Sequence, residues 1–172
     1  MRDSGKAQDN VIHPIPPVFD KDSEILILGS FPSVRSRETG FFYGHPQNRF
    51  WRVLAGIYGE PVPGSIPGKK AFLLKHHIAV WDVIGSCDIT GSSDSSIRNV
   101  KPSDISIILN NANIRAVFTN GATASRMYNR YILPVTGREA QVLPSTSPAN
   151  AKWSLDDLIS VWEEAIRIPL PE

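Results

Sequence analysis

The residues best suited to chemistry lie in three short stretches of the chain. Gly29-Ser-Phe-Pro-Ser33 follows the apolar run Ile25 to Leu28. Gly40-Phe-Phe-Tyr-Gly-His-Pro-Gln-Asn-Arg-Phe-Trp51 combines aromatic rings and glycines with a histidine and an asparagine. Leu143-Pro-Ser-Thr-Ser-Pro-Ala-Asn150 supplies hydroxyl and amide groups. Aromatic surfaces with a few convergent polar groups are typical of ligand sites, so these stretches are the first candidates for one.

The apolar pattern predicts the elements that must position these stretches. Four strands are expected, at about 24–29, 78–84, 114–119 and 141–143. Helices are expected at about 48–58, 69–77, 103–111, 121–132 and 154–166. Short apolar runs bounded by Gly and Pro indicate buried strands, and their alternation with helices predicts a parallel sheet covered on both faces. We therefore expect an α/β protein, a three-layer α/β/α sandwich with a central four-stranded parallel sheet.

The rest of the chain is expected to be less regular. Residues 1–10 are polar and are expected to be flexible, and the proline-rich residues 11–19 are expected to form an extended strap on the domain. Residues 85–101 are rich in Ser and Gly with little periodicity, which indicates a surface loop. With no internal repeat and 172 residues, the chain is expected to form a single domain, 1–172.

The placement of the loops favours function, although each has a structural alternative. The loops 29–48 and 144–150 both leave the carboxyl end of a predicted strand, where open α/β sheets bind ligands. Asn48, however, is also a good helix N-cap. The Phe42–Tyr43 pair is compatible with core packing, His45 with a structural histidine, and 144–150 with an ordinary Ser/Pro turn.

Composition and motifs exclude several classes of protein. The chain has 18 basic and 17 acidic residues, so its net charge gives no indication of a nucleic-acid partner. Cys87 is the single cysteine, and the adjacent His76 and His77 would diverge on a helix, so neither a disulfide framework nor a metal site is expected. The sequence contains no Walker A or GxSxG motif, no apolar run long enough for a membrane span is found, and the polar start lacks the pattern of a signal peptide. We expect a reduced, soluble, cytoplasmic protein without a metal or other cofactor.

The three stretches together resemble the signature loops of the uracil-DNA glycosylase superfamily. The segment Gly44-His-Pro-Gln-Asn-Arg-Phe-Trp51 resembles its mismatch-specific uracil branch. The combination of Gly29-Ser-Phe-Pro-Ser33 with Ser145-Thr-Ser-Pro-Ala-Asn150 is more similar to its hypoxanthine-DNA (deoxyinosine) glycosylase branch, as are Trp81-Asp-Val83 and Ser95-Ser-Ile-Arg-Asn99. The likeness covers about residues 12–165.

Two positions depart from most of the superfamily. Phe31 stands where other branches place a water-activating Asp, Asn or Glu, and Ser145 stands where they place a His or Asn. In the hypoxanthine branch, the resemblance implies that the Asn of the HPxN segment, here Asn48, orients the water. Because both of these usual groups are replaced, weak or absent uracil excision is expected.

The resemblance and the chemistry of the base together assign roles to the remaining residues. Tyr43, or less favourably Phe42, would stack on a flipped base, and main-chain N–H groups at Ser30 and Phe31 would bind O6 of hypoxanthine. Asp82 would accept from N1–H, a donor that adenine lacks; the alternative is that Asp82 bonds backbone N–H groups of the 85–101 loop. Residues expected to line the base pocket or contact the DNA backbone also include Ser33, Arg35, Ser145, Thr146, Ser147, Pro148, Ala149 and Asn150. Five cations could meet phosphates, namely Arg35, Arg37, Arg49, Arg52 and Lys152.

The sequence therefore predicts a monofunctional DNA glycosylase that excises hypoxanthine, acts on DNA as a monomer and needs no cofactor. One alternative is a mismatch-specific uracil-DNA glycosylase. The other is a catalytically idle DNA-binding module of the same fold, since Phe31 already marks the loss of one catalytic group.

Overall fold

The computed structural model of the protein describes residues 8–167. In chain order its strands are β1 (Asp9–Ile12), β2 (Ile25–Gly29), β3 (Ile78–Asp82), β4 (Ile84–Ile89), β5 (Arg98–Pro102), β6 (Ala116–Asn120) and β7 (Gln141–Leu143). Its helices are α1 (Val34–Thr39), α2 (Phe50–Tyr58), α3 (Ile66–Lys75), α4 (Ser106–Leu109), α5 (Ala122–Tyr131), α6 (Leu133–Thr136) and α7 (Leu155–Ile166).

A four-stranded parallel sheet forms the centre of the fold. Its strand order is β3-β2-β6-β7, and all three strand pairs are parallel. The chain first moves from β2 to β3 on one side, then returns to place β6 on the other side of β2. The order of the strands therefore reverses beside β2, and the crevice at such a point is the usual ligand site of an open α/β sheet.

Alternating side chains of the sheet bury two apolar clusters, one on each face. On β2, Ile25 and Ile27 face a cluster that includes residues of α2, α3 and α7. Leu26 and Leu28 face the opposite cluster, which includes residues of α4, α5 and the strand β4. This period-two division follows from the pleat of a strand. The three-layer α/β/α sandwich around a four-stranded parallel sheet is thus confirmed.

A second, antiparallel sheet replaces the surface loop expected at 85–101. Its order is β1-β4-β5, with Val11 opposite Cys87 and Ser86 opposite Lys101. β4 begins two residues after β3 ends, and Cys87 and Ile89 point into the core while neighbouring residues remain partly exposed. The prediction of a loop was wrong because pairing with distant β1 stabilises a strand whose local composition is poor for one.

The amino-terminal segment has both the strand β1 and the expected strap. The flexibility expected for residues 1–10 falls mainly on residues 1–7, which lie outside the described part of the chain. Asp9 and Asn10, in contrast, belong to the strand β1. The strap crosses the sheet edge, where Val18 and Val80 exchange backbone hydrogen bonds of 3.0 Å. Ile15 and Val18 are buried in the core.

The helix boundaries follow local capping chemistry. Gly59 adopts a left-handed φ of 62° and ends α2, and Ser154 Oγ accepts from Asp157 N–H at the start of α7. The short helix α1 lies within the loop expected at 29–48, between a Ser33 cap and Gly40 with a φ of 77°. Within residues 8–167, none of the helices has the length and apolar character needed to cross a membrane.

Candidate active site

A cavity of about 270 Å³ opens at the carboxyl ends of β2, β3 and β6. Its residues come from the loop after β2, the segment before α2, the ends of β3 and β6, the loop after β4 and the loop after β7. Its lining includes Gly29, Ser30, Phe31, Ser33, Phe42, Tyr43, His45, Asn48, Asp82, Asp94, Asn120, Ser145, Thr146, Ser147 and Pro148. Small-molecule sites usually have volumes of roughly 300–1,000 Å³, so this cavity is suited to a small ligand such as one base.

The carboxylate of Asp82 lies at the inner end of the cavity. Asp82 is the last residue of β3, opposite Gly29 on β2, and its side chain is 5% exposed. A side-chain carbon on Gly29 would lie 2.4 Å from Asp82 Oδ1 and 3.1 Å from Tyr43 Oη. Only glycine at this position lets the carboxylate and the phenol come so close to the end of the strand. The Asp82 acceptor and the Tyr43 hydroxyl thus share one corner of the cavity.

His13, on the strap, binds the same carboxylate from behind. His13 Nε2 lies 2.7 Å from Asp82 Oδ2, and the two side chains are 3% and 5% exposed. The backbone alternative for Asp82, hydrogen bonds to the 85–101 loop, is not the interaction observed. Sequence reasoning missed His13 because 69 residues separate it from Asp82 and nothing near it in the chain indicates a site.

Tyr43 has an unusual backbone and a buried hydroxyl. Its φ is 54°, a region that non-glycine residues occupy rarely and that is enriched at functional sites. Its ring stacks on Phe50, with centroids 3.9 Å apart and planes at 18°. The fully buried Phe50 covers one face of the ring, and Tyr43 itself lines the cavity.

The Tyr43 hydroxyl is a buried donor without a hydrogen-bond partner among the described residues. Burial raises its pKa well above the ordinary value, and the negative charge of Asp82 adds to this, while the neighbouring Asn120 amide opposes it. The phenol therefore stays protonated at neutral pH and keeps an O–H to donate. A buried donor without a partner is costly, and a ligand in the cavity can supply the missing acceptor.

Asn48 both holds the start of α2 and faces the cavity. Its Oδ1 accepts from Phe50 N–H and from Thr146 Oγ1–H, each at 2.9 Å. Thr146 Oγ1 accepts in turn from Asn120 Nδ2, and Asn120 Oδ1 accepts from Thr146 N–H. Among the described residues no hydrogen bond engages Asn48 Nδ2, and Asn48 lines the cavity. The predicted helix-cap alternative is thus partly right, although the residue at the cap position itself is Arg49.

Arg49 fastens the loop after β7 to the segment before α2. Its backbone N–H donates to Thr146, and its guanidinium donates to the carbonyl oxygens of Ser147, Asn150 and Trp153. Within the loop, Ser145 Oγ accepts from Ser147 N–H at 3.1 Å. The expected phosphate contact of Arg49 is wrong, because its guanidinium is taken up by these carbonyl groups.

Asp94 lies at the mouth of the cavity, where sequence reasoning expected only a loop. Ser30 Oγ donates to Asp94 Oδ1 at 3.3 Å. Although the residue keeps contact with solvent, partial burial raises the pKa of its carboxyl. The bond from Ser30 and the charge of Arg126 lower that pKa, and the charge of Asp82 raises it further. Two carboxylates therefore face one small cavity.

The structure brings together most of the predicted site residues. Those that line the cavity are Ser30, Phe31, Ser33, Phe42, Tyr43, Asn48, Asp82, Ser145, Thr146, Ser147 and Pro148. Phe42 is 2% exposed and also packs in the core, as its alternative had it, and Ser33 caps α1. Ala149 and Asn150 line a neighbouring depression beside α5 instead, and Arg35 is exposed outside the cavity.

Two further cations have structural partners. Arg37 donates to the Gly91 carbonyl at 2.7 Å and lies over the Phe31 ring, and Arg52 donates to the Gln47 carbonyl at 3.3 Å. Each of these bonds engages only one nitrogen of a guanidinium, so the phosphate contacts expected of Arg37 and Arg52 stay predictions.

The fold and the site define a class: α/β/α proteins that bind a small ligand at the carboxyl ends of a parallel sheet, between an aromatic wall and a loop rich in hydroxyl groups. The family model described as the uracil DNA glycosylase superfamily matches residues 16–166. The chain belongs to this superfamily, which confirms the resemblance of its motifs.

Two relatives and one solved structure are similar over nearly the whole chain. The relatives are named hypoxanthine DNA glycosylase, from Methanosarcina barkeri and Methanosarcina acetivorans, at 36% and 37% identity over 154 residues, 88% of this chain and 96% of each relative. The solved structure is a solution NMR structure of a Methanosarcina acetivorans protein described as a uracil DNA glycosylase. It superposes with a TM-score of 0.77 at 35% identity, covering 91% of this chain and 98% of that one.

Proposed function

We propose that this protein is a monofunctional DNA glycosylase that hydrolyses the N-glycosidic bond of deoxyinosine in DNA and releases hypoxanthine. The observation that supports it best is the Asp82 carboxylate, buried at the inner end of a base-sized cavity beside the aromatic ring of Tyr43. A carboxylate at this place accepts hydrogen bonds and rejects other acceptors. The relatives named above support the same substrate.

The base must leave the duplex before it can reach the cavity. Extruding a base costs a few kcal/mol, and a mispaired base costs least, which favours inosine over a normally paired purine. In the cavity the base would stack on the face of Tyr43 that Phe50 leaves open, a contact worth about 1–3 kcal/mol. The loop 145–148 would press on the DNA from the other side of the cavity mouth.

The polar groups of the cavity match the edge of hypoxanthine. Asp82 would accept from N1–H, and the N–H groups at Ser30 and Phe31 would donate to O6, where negative charge grows as the base departs. Adenine presents an acceptor at N1, which would face the Asp82 acceptor and be rejected. Guanine presents the same N1–H and O6 as hypoxanthine, so its exclusion falls to its 2-amino group and to its stable pairing with cytosine.

Asn48 is proposed to position the attacking water. Its Oδ1 is held by Phe50 and Thr146, so the Nδ2 amide would donate to the water oxygen near the sugar carbon. The transition state resembles an oxocarbenium ion, and the carboxylates Asp82 and Asp94 give the cavity a negative field that favours such a cation. The two hydrogen bonds to Oδ1 fix the Asn48 side chain, which keeps this geometry without movement of the loop.

A single-turnover assay on a duplex with one deoxyinosine, followed by alkaline cleavage, tests the proposal. We expect strand cleavage at inosine, and on a matched uracil duplex a rate at least ~10-fold lower, because Phe31 and Ser145 stand where other branches of the superfamily place a water-activating group and a His or Asn. Cleavage of uracil faster than inosine would establish the mismatch-specific uracil alternative. Retention of both duplexes without cleavage would establish an idle binding module instead.

A further inference from the structure

The strap that precedes the central sheet has one polar side chain that reaches the cavity from behind. His13 is surrounded by the rings of Phe31, Phe42 and Trp81, with centroids 5.8, 6.2 and 6.1 Å away. Its backbone N–H donates to the Gly85 carbonyl at 2.8 Å, which fixes the strap beside β4. An imidazole in such an apolar setting needs a partner for each nitrogen.

The hydrogen bonds of His13 determine which nitrogen has the proton. Nδ1 lies 3.1 Å from Ile15 N, and a backbone N–H can only donate, so Nδ1 is the acceptor. In the neutral ring the proton is therefore on Nε2, which donates to Asp82 Oδ2 at 2.7 Å. The strap thus supplies both a fixed tautomer and a fixed donor.

This donor leaves the two oxygens of Asp82 with different tasks. Oδ2 is engaged by His13, whereas Oδ1 points past Gly29 toward the corner that Tyr43 Oη shares. Without the His13 bond, the carboxyl group of Asp82 would be free to rotate about its last bond and present either oxygen, or neither, to the cavity.

We infer that His13 is a positioning residue that sets Asp82 Oδ1 toward N1–H of the bound base and thereby contributes to selection of the base. The inference rests on the proposed function and names a residue outside all the motif loops. His13 lies behind the carboxylate and acts through it, without contact with the substrate.

The two nitrogens of His13 can be replaced separately. Counted in bonds from the backbone, the Gln amide nitrogen lies as far out as His Nε2, and the Asn side-chain oxygen as far out as His Nδ1. His13→Gln therefore keeps a donor for Asp82 and loses the acceptor for Ile15. His13→Asn keeps the acceptor for Ile15 and loses the donor for Asp82.

Single-turnover excision of inosine by both variants tests the inference, with the thermal midpoint measured in parallel. We expect His13→Asn to slow excision at least ~10-fold, since a small misplacement of a positioned group can cost up to ~10²-fold, and His13→Gln to stay within about threefold of wild type. In an Asp82→Ala background, His13→Asn should have no further effect, because the residue that it positions is gone. His77→Asn is the matched control and should leave excision unchanged, since His77 precedes β3 at the opposite end of the sheet and bonds the Asp22 carbonyl.

Several results would overturn the inference. If His13→Asn excises inosine at the wild-type rate, whether or not His13→Gln is slower than wild type, then the histidine only holds the strap. An undiminished effect of His13→Asn in the Asp82→Ala background would show that it does not act through the carboxylate. If wild-type protein cuts uracil and not inosine, the proposed function and this inference fall together, whereas normal inosine excision with an insensitive His13 overturns the inference alone.

Discussion

Asn48 Oδ1 makes a structural hydrogen bond to Phe50 N–H, and the Nδ2 amide of the same residue has a proposed catalytic role. Substitutions can separate the two. Asn48→Ala should slow inosine excision at least ~10²-fold, the lower range for a positioned water-orienting group. It should also cost about 1 kcal/mol of stability, because Phe50 N–H loses its acceptor at the start of α2. Single-turnover rates and thermal midpoints measure the two losses independently.

Asn48→Ser supplies the control for that experiment. A serine hydroxyl can accept from a backbone N–H two residues on, so the start of α2 should keep most of its stability. The amide in the cavity is absent in both variants, so excision should be as slow as in Asn48→Ala. Wild-type excision by Asn48→Ser would reduce Asn48 to a helix-capping residue.

The hydroxyl of Tyr43 has a predicted effect on activity opposite to its effect on stability. The sequence suggested that only the ring face matters, but Oη is buried beside Asp82 and has no partner among the described residues. Tyr43→Phe should therefore keep or raise the thermal midpoint, since a buried unsatisfied hydroxyl is removed. Excision of inosine should fall about threefold to tenfold, the value of one hydrogen bond from the hydroxyl to the bound nucleotide.

Tyr128→Phe is the matched control for Tyr43→Phe. Tyr128 Oη donates to the Arg138 carbonyl at 2.5 Å, far from the motif loops, so its loss should lower the thermal midpoint and leave excision intact. If Tyr43→Phe instead excises at the wild-type rate, the hydroxyl makes no contact with the base and only the stacking role of the ring remains.

Among the elements, the loop after β7 depends on α2 for its shape. Arg49 spans the two by donating to three carbonyl groups of residues 147–153. Arg49→Met keeps much of the side-chain length and removes these donors, so the loop should loosen. We expect faster amide hydrogen exchange across 145–153 and at least ~10-fold weaker binding of inosine duplex, because the loop must be ordered anew on binding.

Arg52→Met is the comparison for the loop. Arg52 is exposed one turn along α2 and donates to the Gln47 carbonyl at 3.3 Å. Its replacement by Met therefore removes the same charge from the same helix without touching the loop after β7. It should weaken DNA binding less and leave exchange in 145–153 unchanged. Equal loss of binding from both variants, with exchange unaltered, would show that Arg49 acts through its charge and not through the loop.

The sequence predicted the elements whose information is local and missed those stabilised at a distance. The strand β2, buried on both faces, and the helix α7, with its Ser154 cap, were both recognisable. β4 and β5 were not, because β5 is largely exposed and β4 is paired with β1, some 80 residues earlier, where Asp9 lies opposite Ile89. The helix α1 was missed although Ser33 and Gly40, seven residues apart, were visible as its cap and stop signals.

At the scale of the whole molecule, the residues of the candidate site likewise divide into those with a local sequence signal and those without one. The motif loops pointed to Asn48 and Tyr43, and the likeness of Trp81-Asp-Val83 pointed to Asp82. His13 and Asn120 could not be found, because a lone histidine in a proline-rich strap and an asparagine at the end of a strand have no local signal. Only the folded sheet brings them to the same cavity.

The long chain separations within the site have a consequence for how the protein acquires activity. The bond from His13 to Asp82 closes 69 residues, that from Thr146 to Asn48 closes 98, and one from Arg49 closes 104. We expect contacts this remote to form late, because each loop must be closed at an entropic cost before its contacts stabilise the fold. A chain that ends before Thr146 would lack both the Thr146 bond to Asn48 and the carbonyl groups that Arg49 binds. We therefore expect excision activity to appear only once the chain is folded through residue 153, and not in shorter or partly folded forms.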